Sequence, residues 1–183
     1  MFWVKIYKNV FNKKQKEFLS SIFKNEKYPF YLAENAVRSI NDNTFHFIHH
    51  AICREKPNID NSGLAPALRL LLSQITSKLN IKYTKIYRCA INVTFYNGYS
   101  DRCPTHEDHN FDHKQILIYL NDSDGDTVLL NKKGTKELKR INPEAYKILV
   151  MDRRDHYHFF PTKGIRKVLI YTVDWQKLRN YKL

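Results

Sequence analysis

Between Ile86 and Trp175 the chain reads IYRCAINVTFY (Ile86–Tyr96), QILIYLN (Gln115–Asn121), DTVLLN (Asp126–Asn131), AYKILVMD (Ala145–Asp152) and RKVLIYTVDW (Arg166–Trp175). Each run has strand length and is rich in β-branched and aromatic residues, which favour a pleated, half-buried surface. Turn chemistry punctuates this half of the chain at Asn97-Gly98, Asp124-Gly125, Lys133-Gly134 and Lys163-Gly164. Upstream the period changes. From a candidate N-cap at Asn12, residues Phe18, Leu19, Ile22 and Phe23 fall on one helical face. Ser62 is placed to cap a second helix, with Pro66 in its first turn and a stripe of Leu64, Leu68, Leu71, Leu72, Ile75 and Leu79. Short strands are also expected at Phe2–Tyr7 and Phe45–His50. Two helices followed by a strand-dense half predict a mainly β, α+β fold, an antiparallel sandwich or barrel with helices on one outer side. The 183 residues suit a single domain, with residues 1–85 as a helix-bearing support and 86–175 as the core barrel strands.

Composition narrows the function classes. Hydrophobic residues make up 43% and aromatics 14%, which is globular rather than disordered. No stretch approaches the about 20 apolar residues of a membrane span, and the start MFWVKIYKNVFNKK lacks a secretory pattern. The expectation is an intracellular, cytoplasmic protein with no membrane partner. Cys53, Cys89 and Cys103 show neither CxxC spacing nor even pairing, so they read as reduced thiols. A formal charge of +13 keeps nucleic acid open as a partner. The lysines are scattered, however, and an A/T-rich coding sequence would produce the same excess.

Chemistry gathers after the first of the strands. In Cys103-Pro-Thr-His106-Glu-Asp108-His-Asn, an imidazole and a carboxylate lie two residues apart. An extended backbone would point both to one face. They would supply two thirds of the facial triad that holds Fe(II) while leaving open positions. The third ligand has to come from elsewhere, and the chain offers His156 and His158 in Asp155-His-Tyr-His-Phe-Phe-Pro161. By contrast, His109 and His113 read as solvated loop residues, and the histidines of Phe45–His50 as part of an aromatic strand. Cys103 reads as a small, partly buried thiol. Asp122, Asp124 and Asp126 lack the spacing of an EF-hand and read as a tight turn.

From about Tyr87 to Val173 the sequence resembles the Fe(II)- and 2-oxoglutarate-dependent oxygenases, in particular their prolyl-hydroxylase-like branch with its phage- and virus-encoded members. His106-Glu-Asp108, the strand Gln115-Ile-Leu-Ile-Tyr119-Leu-Asn with its turn, and Ile148–Asp152 carry the resemblance. It implies a double-stranded β-helix of the jelly-roll, cupin-like kind, with Fe(II) and 2-oxoglutarate as cofactors and ascorbate as an accessory reductant. In that family the distal histidine usually lies nine to eleven residues before a basic residue that clamps the far carboxylate of 2-oxoglutarate. His156 lies ten before Arg166 and His158 eight, so the resemblance favours His106, Asp108 and His156 as catalytic metal ligands, with His158 as the alternative third. It also implies cosubstrate contacts from Arg166, Tyr119, Tyr96 and, more weakly, Asn92. One departure is Val168, where some relatives carry a Ser or Thr as second carboxylate anchor. The implied reaction decarboxylates 2-oxoglutarate to succinate and CO2 and hydroxylates a C–H bond, with a protein or peptide side chain, prolyl first, as substrate. A non-catalytic cupin-like binding module and a nucleic-acid-directed oxygenase are the alternatives. Oligomeric state is not legible.

Overall fold

A computed structural model of the chain describes residues 3–33, 47–54, 59–96, 98 and 100–174. Phe2, Phe45, His46, Asn97 and Trp175 therefore lie outside the described residues. The strands are β1 (Val4–Tyr7), β2 (Tyr31–Ala33), β3 (Phe47–Arg54), β4 (Ile59–Asp60), β5 (Ile86–Phe95), β6 (Lys114–Tyr119), β7 (Thr127–Leu130), β8 (Glu137–Ile141), β9 (Ile148–Asp152), β10 (His156–His158) and β11 (Ile165–Val173). The helices are α1 (Lys13–Ser21), continued by a short 3-10 turn, and α2 (Ala65–Lys78).

Two antiparallel sheets make the double-stranded β-helix. The major sheet runs in the order β1-β9-β6-β11-β5-β3-β2, with β4 on β3, and the minor sheet runs β10-β7-β8. Alternation divides the central strands between two cores. Ile116, Ile118, Ile148, Val150, Leu169 and Tyr171 pack outward with α1 and α2 residues such as Leu19, Leu68 and Leu72. Leu117, Tyr119, Leu149, Met151 and Val168 point inward, with Leu129 and Ile141 of the minor sheet. A strand covered on both faces has no polar side to present, which is why QILIYL and ILVM read as unbroken apolar runs.

Asn12 caps α1 through a reciprocal pair with Gln15, as its position in the sequence predicts. Ser62 is not the residue that caps α2. The helix starts from Leu64, and the Ser62 hydroxyl accepts from the Leu64 N–H and bonds His50 Nε2 at 2.8 Å. A helix entrance buried beside β3 uses its hydroxyl to satisfy a buried histidine as well. The backbone closes tightly at Asp124–Asp126, where Asp126 N–H donates to Asp124 O at 3.1 Å, and the Asp122 and Asp124 carboxylates tie this segment to other loops by accepting from the backbone N–H groups of Ala145 and Thr162.

Candidate metal centre

The stretch from Arg102 to His106 runs antiparallel to β10 and its extension, with bridges Arg102↔Phe159 and His106↔His156. His106 and His156 exchange both backbone hydrogen bonds at 3.0 Å. This pairing brings the imidazoles side by side, with ring centroids 4.6 Å apart. Asp108 joins them. The ligand atoms of His106, Asp108 and His156 all lie within 4.8 Å of one another.

Hydrogen bonds fix the outer atoms of each group and turn the inner ones toward one another. His106 Nδ1 and His156 Nδ1 each face a backbone carbonyl, Pro104 O and Arg154 O, at 2.8 Å. A carbonyl only accepts, so the proton sits on Nδ1 and the Nε2 lone pair is left for a ligand. Gln115 Nε2 donates to Asp108 Oδ2, leaving Oδ1 3.8 Å from His106 Nε2. Burial opposes ionisation of Asp108, but Arg88, His156 and His106 outweigh it and hold the carboxyl down at about 2. Burial lowers His156 to about 4, reinforced by His106. For His106 burial also acts downward, yet the Cys103 sulfur and the Asp108 carboxylate raise it to about 9, so an ion bound at its Nε2 displaces a proton. Two imidazoles and one carboxylate, facing one way with their outer atoms already bonded, fit a divalent Fe, Mn or Co ion with open positions.

These residues edge a cavity of about 70 Å³ between the two sheets. His158 also lines it but stands outside the triad, with Nδ1 3.2 Å from Cys103 Sγ. Cys103 is fully buried, not partly so, in a small cluster with Phe47 and Phe160. Arg166, 4% exposed, donates from Nε to Gly125 O and from Nη2 to Thr127 Oγ1, both at 2.9 Å. The Tyr119 hydroxyl donates to the same Thr127 oxygen at 2.7 Å. With two donors on its oxygen, Thr127 must turn its own hydrogen elsewhere, and it lines the cavity. Gly125 is required by space, because a Cβ there would lie 2.7 Å from Phe159 O and 3.0 Å from Arg166 Cδ.

The remaining sequence candidates separate. Asn92 lines the cavity and its Oδ1 is 2.8 Å from His49 Nδ1. Tyr96 is not brought there. It follows β5, is 54% exposed and is not among the lining residues. Val168 forms part of the wall, and Thr127 on the facing sheet brings a hydroxyl to the same lining. His109 and His113 are not solvated: His113 is buried, and both pack with Phe111 at 4.8 and 5.8 Å. Arg88, Gln115 and Thr127 belong to the site without having been singled out in the sequence. Their signal was a polar residue at the edge of, or inside, an otherwise apolar strand. A wider groove of about 580 Å³ beside α1 and Tyr146 has no histidine or cysteine among the described residues of its lining.

Solved structures share this architecture. An oxidoreductase of the 2OG-Fe(II) oxygenase family from Burkholderia pseudomallei aligns with a TM-score of 0.71 and 14% identity, over 93% of this chain and 84% of that one. The fold is that of the 2OG-Fe(II) oxygenases. A prolyl hydroxylase from Trichoplax adhaerens, in complex with a hypoxia inducible factor peptide fragment, gives 0.64 at 16% identity, over 93% and 83% of the two chains. The α-ketoglutarate-dependent carbocyclase SnoK of nogalamycin biosynthesis also gives 0.64, at 12% identity over 93% and 79%. No protein-family model matches the sequence, and no curated protein matches it in sequence.

Proposed function

We propose that the chain is an Fe(II)- and 2-oxoglutarate-dependent oxygenase acting on a C–H bond of a protein or peptide side chain, with prolyl as the first candidate. The observation that carries the reading is the triad of His106, Asp108 and His156, with both Nδ1 atoms engaged and both Nε2 atoms left for one ion. Iron bound there would let 2-oxoglutarate and dioxygen supply the oxidising equivalent for C–H hydroxylation, with succinate and CO2 as co-products and ascorbate as an accessory reductant.

The chain's own residues account for the rest. Arg166 offers the far carboxylate of 2-oxoglutarate a buried guanidinium already oriented by Gly125 and Thr127, so little ordering is left to binding. Thr127 adds a hydroxyl donor, and Tyr119 holds that hydroxyl in place. Val168, Leu117 and Ile170 keep the wall between the two ends apolar. Support for a peptide substrate is the Trichoplax neighbour with its bound peptide, while SnoK illustrates that this architecture also serves ring closure. An intracellular setting fits the buried free thiols of Cys53, Cys89 and Cys103. A non-catalytic binding module is disfavoured by the buried histidine–carboxylate cluster, which is costly to keep without an ion.

The test is anaerobic Fe(II) titration with and without 2-oxoglutarate. A metal-to-ligand charge-transfer band that needs both additions, and that is lost in Asp108→Ala, is the expected result. Its absence from the wild-type protein would remove the oxygenase reading.

A further inference from the structure

The cavity has a second guanidinium, Arg88, that the carboxylate held at Arg166 cannot reach. Arg88 on β5 is registered with Thr172 on β11, and Thr172 with Gln115 on β6, so the three side chains leave one face of the sheet in a single cross-strand row. Arg166 is registered with Thr94, six residues further along β5, which is roughly 20 Å of strand. A five-carbon keto acid spans only about 6 Å at ~1.5 Å per bond. A bulge at Tyr87, where Ile86 pairs with Val173 and Arg88 with Thr172, lies beside this row, and the Tyr87 ring stacks edge-on against Phe111 at 4.8 Å.

The row is polar, buried and unfinished. The Arg88 side chain is 12% exposed, and Asp108 Oδ1 lies 3.5 Å from Nη1. Arg88 Nε, Thr172 Oγ1 and Gln115 Oε1 are buried with no hydrogen-bond partner among the described residues. Gln115 cannot relieve this by flipping, because its Nε2 is committed to Asp108 Oδ2. A buried polar atom left unsatisfied is costly. Arg54, opposite Arg88 on β3, adds a like charge to the row.

Charge decides what fits. Asp108 is the one carboxylate, and Arg88 and Arg166 the two guanidiniums, among the described lining residues. On the oxygenase reading, on which this inference rests, the ion takes up the charge of Asp108 and Arg166 takes one carboxylate of the keto acid. A divalent ion and two guanidiniums against Asp108 and a dianion leave one positive charge, and it sits at Arg88. We infer that Arg88, with the buried Thr172 beside it in the row, receives a carboxylate of the substrate, so that the carbon to be oxidised lies near an acidic group. Gln115 Oε1, the one of the three that cannot donate, takes a neighbouring N–H. The carboxylate could be an acidic side chain within a peptide or the α-carboxylate of a free or C-terminal residue.

Three near-isosteric probes separate these sources: N-acetyl-glutamate α-amide, N-acetyl-glutamine and the neutral N-acetyl-glutamine α-amide. Binding is measured by calorimetry to wild type loaded with Mn(II) and 2-oxoglutarate, and to metal-free Asp108→Asn, whose substitution removes the carboxylate charge without any ion. Expected is at least tenfold tighter binding of one or both acids than of the neutral amide to both proteins. The acid that binds identifies the source. This preference is lost in Arg88→Gln, weakened in Thr172→Val and kept in Arg166→Gln, each made on the Asp108→Asn background and checked for a native melting transition. Equal binding of acid and neutral probes to Asp108→Asn, or a preference that survives Arg88→Gln, overturns the inference. Failure of Mn(II) and 2-oxoglutarate to bind wild type, with the preference intact in Asp108→Asn, would instead count against the oxygenase reading alone.

Discussion

At the scale of the residue, the two histidines of β10 share a face and differ in what they touch. His156 meets His106 and Asp108, whereas His158 is spent on Cys103. His156→Ala is therefore expected to lose metal and turnover, and His158→Ala to keep metal, as metal content of the two purified variants would measure. The opposite pattern would move the third ligand to His158. At the other end of the cavity, Arg166→Ala should raise the 2-oxoglutarate requirement strongly at unchanged metal affinity. Thr127→Val should raise it by a smaller factor, about tenfold for a lost hydrogen bond of ~1.4 kcal/mol. A titration of 2-oxoglutarate against succinate formation checks both, and an unchanged requirement in Thr127→Val would leave its hydroxyl structural. The pair two apart and the distal histidines were visible in the sequence. Arg88 and Thr127 acquire meaning only when β5 and β7 are set face to face, which no local pattern encodes.

At the scale of the element, the legible strands were those buried on both faces, because only they carry continuous apolar runs. β8 escaped notice. Its residues Glu137 to Arg140 are exposed and only Ile141 is buried, as suits the edge of the minor sheet. β10 was not among the strands named from the sequence, because three residues, His-Tyr-His, are too few to show a period. The end of β11 is tied to the start of β5 by Asp174, whose carboxylate accepts from Thr84 N at 2.6 Å, Lys85 N at 2.7 Å and the Thr84 hydroxyl. Burial alone would raise its pKa, and these donors reverse that and lower it. A carboxyl depressed in the folded state contributes stability above its unfolded pKa and loses it as the pH falls through the folded value. Asp174→Asn should cost about 1 kcal/mol near pH 7, and the difference from wild type should shrink below about pH 4. Denaturant melts at several pH values would show it, and a pH-independent difference would exclude the linkage.

At the scale of the whole molecule, the charge of +13 is unevenly used. The β7–β8 hairpin carries Lys132, Lys133, Lys136, Lys139 and Arg140 against the single acid Glu137, all of them exposed. Such a patch should hold an oligonucleotide at low salt with an affinity that falls linearly with the logarithm of salt concentration, and should lose most of it by about 200 mM. Fluorescence anisotropy at several salt concentrations measures the slope; a salt-insensitive complex would require contacts that charge does not explain. The His106–His156 bridge bears on how the protein is made as well as on what it does. It joins segments fifty positions apart in the chain (156 − 106) at the edge of the minor sheet, so closing it carries loop-closure entropy and it is expected among the contacts that form late in folding. An ion held across such a contact would leave the refolding rate nearly unchanged and slow unfolding, acting as a latch on a finished barrel rather than as a seed for it.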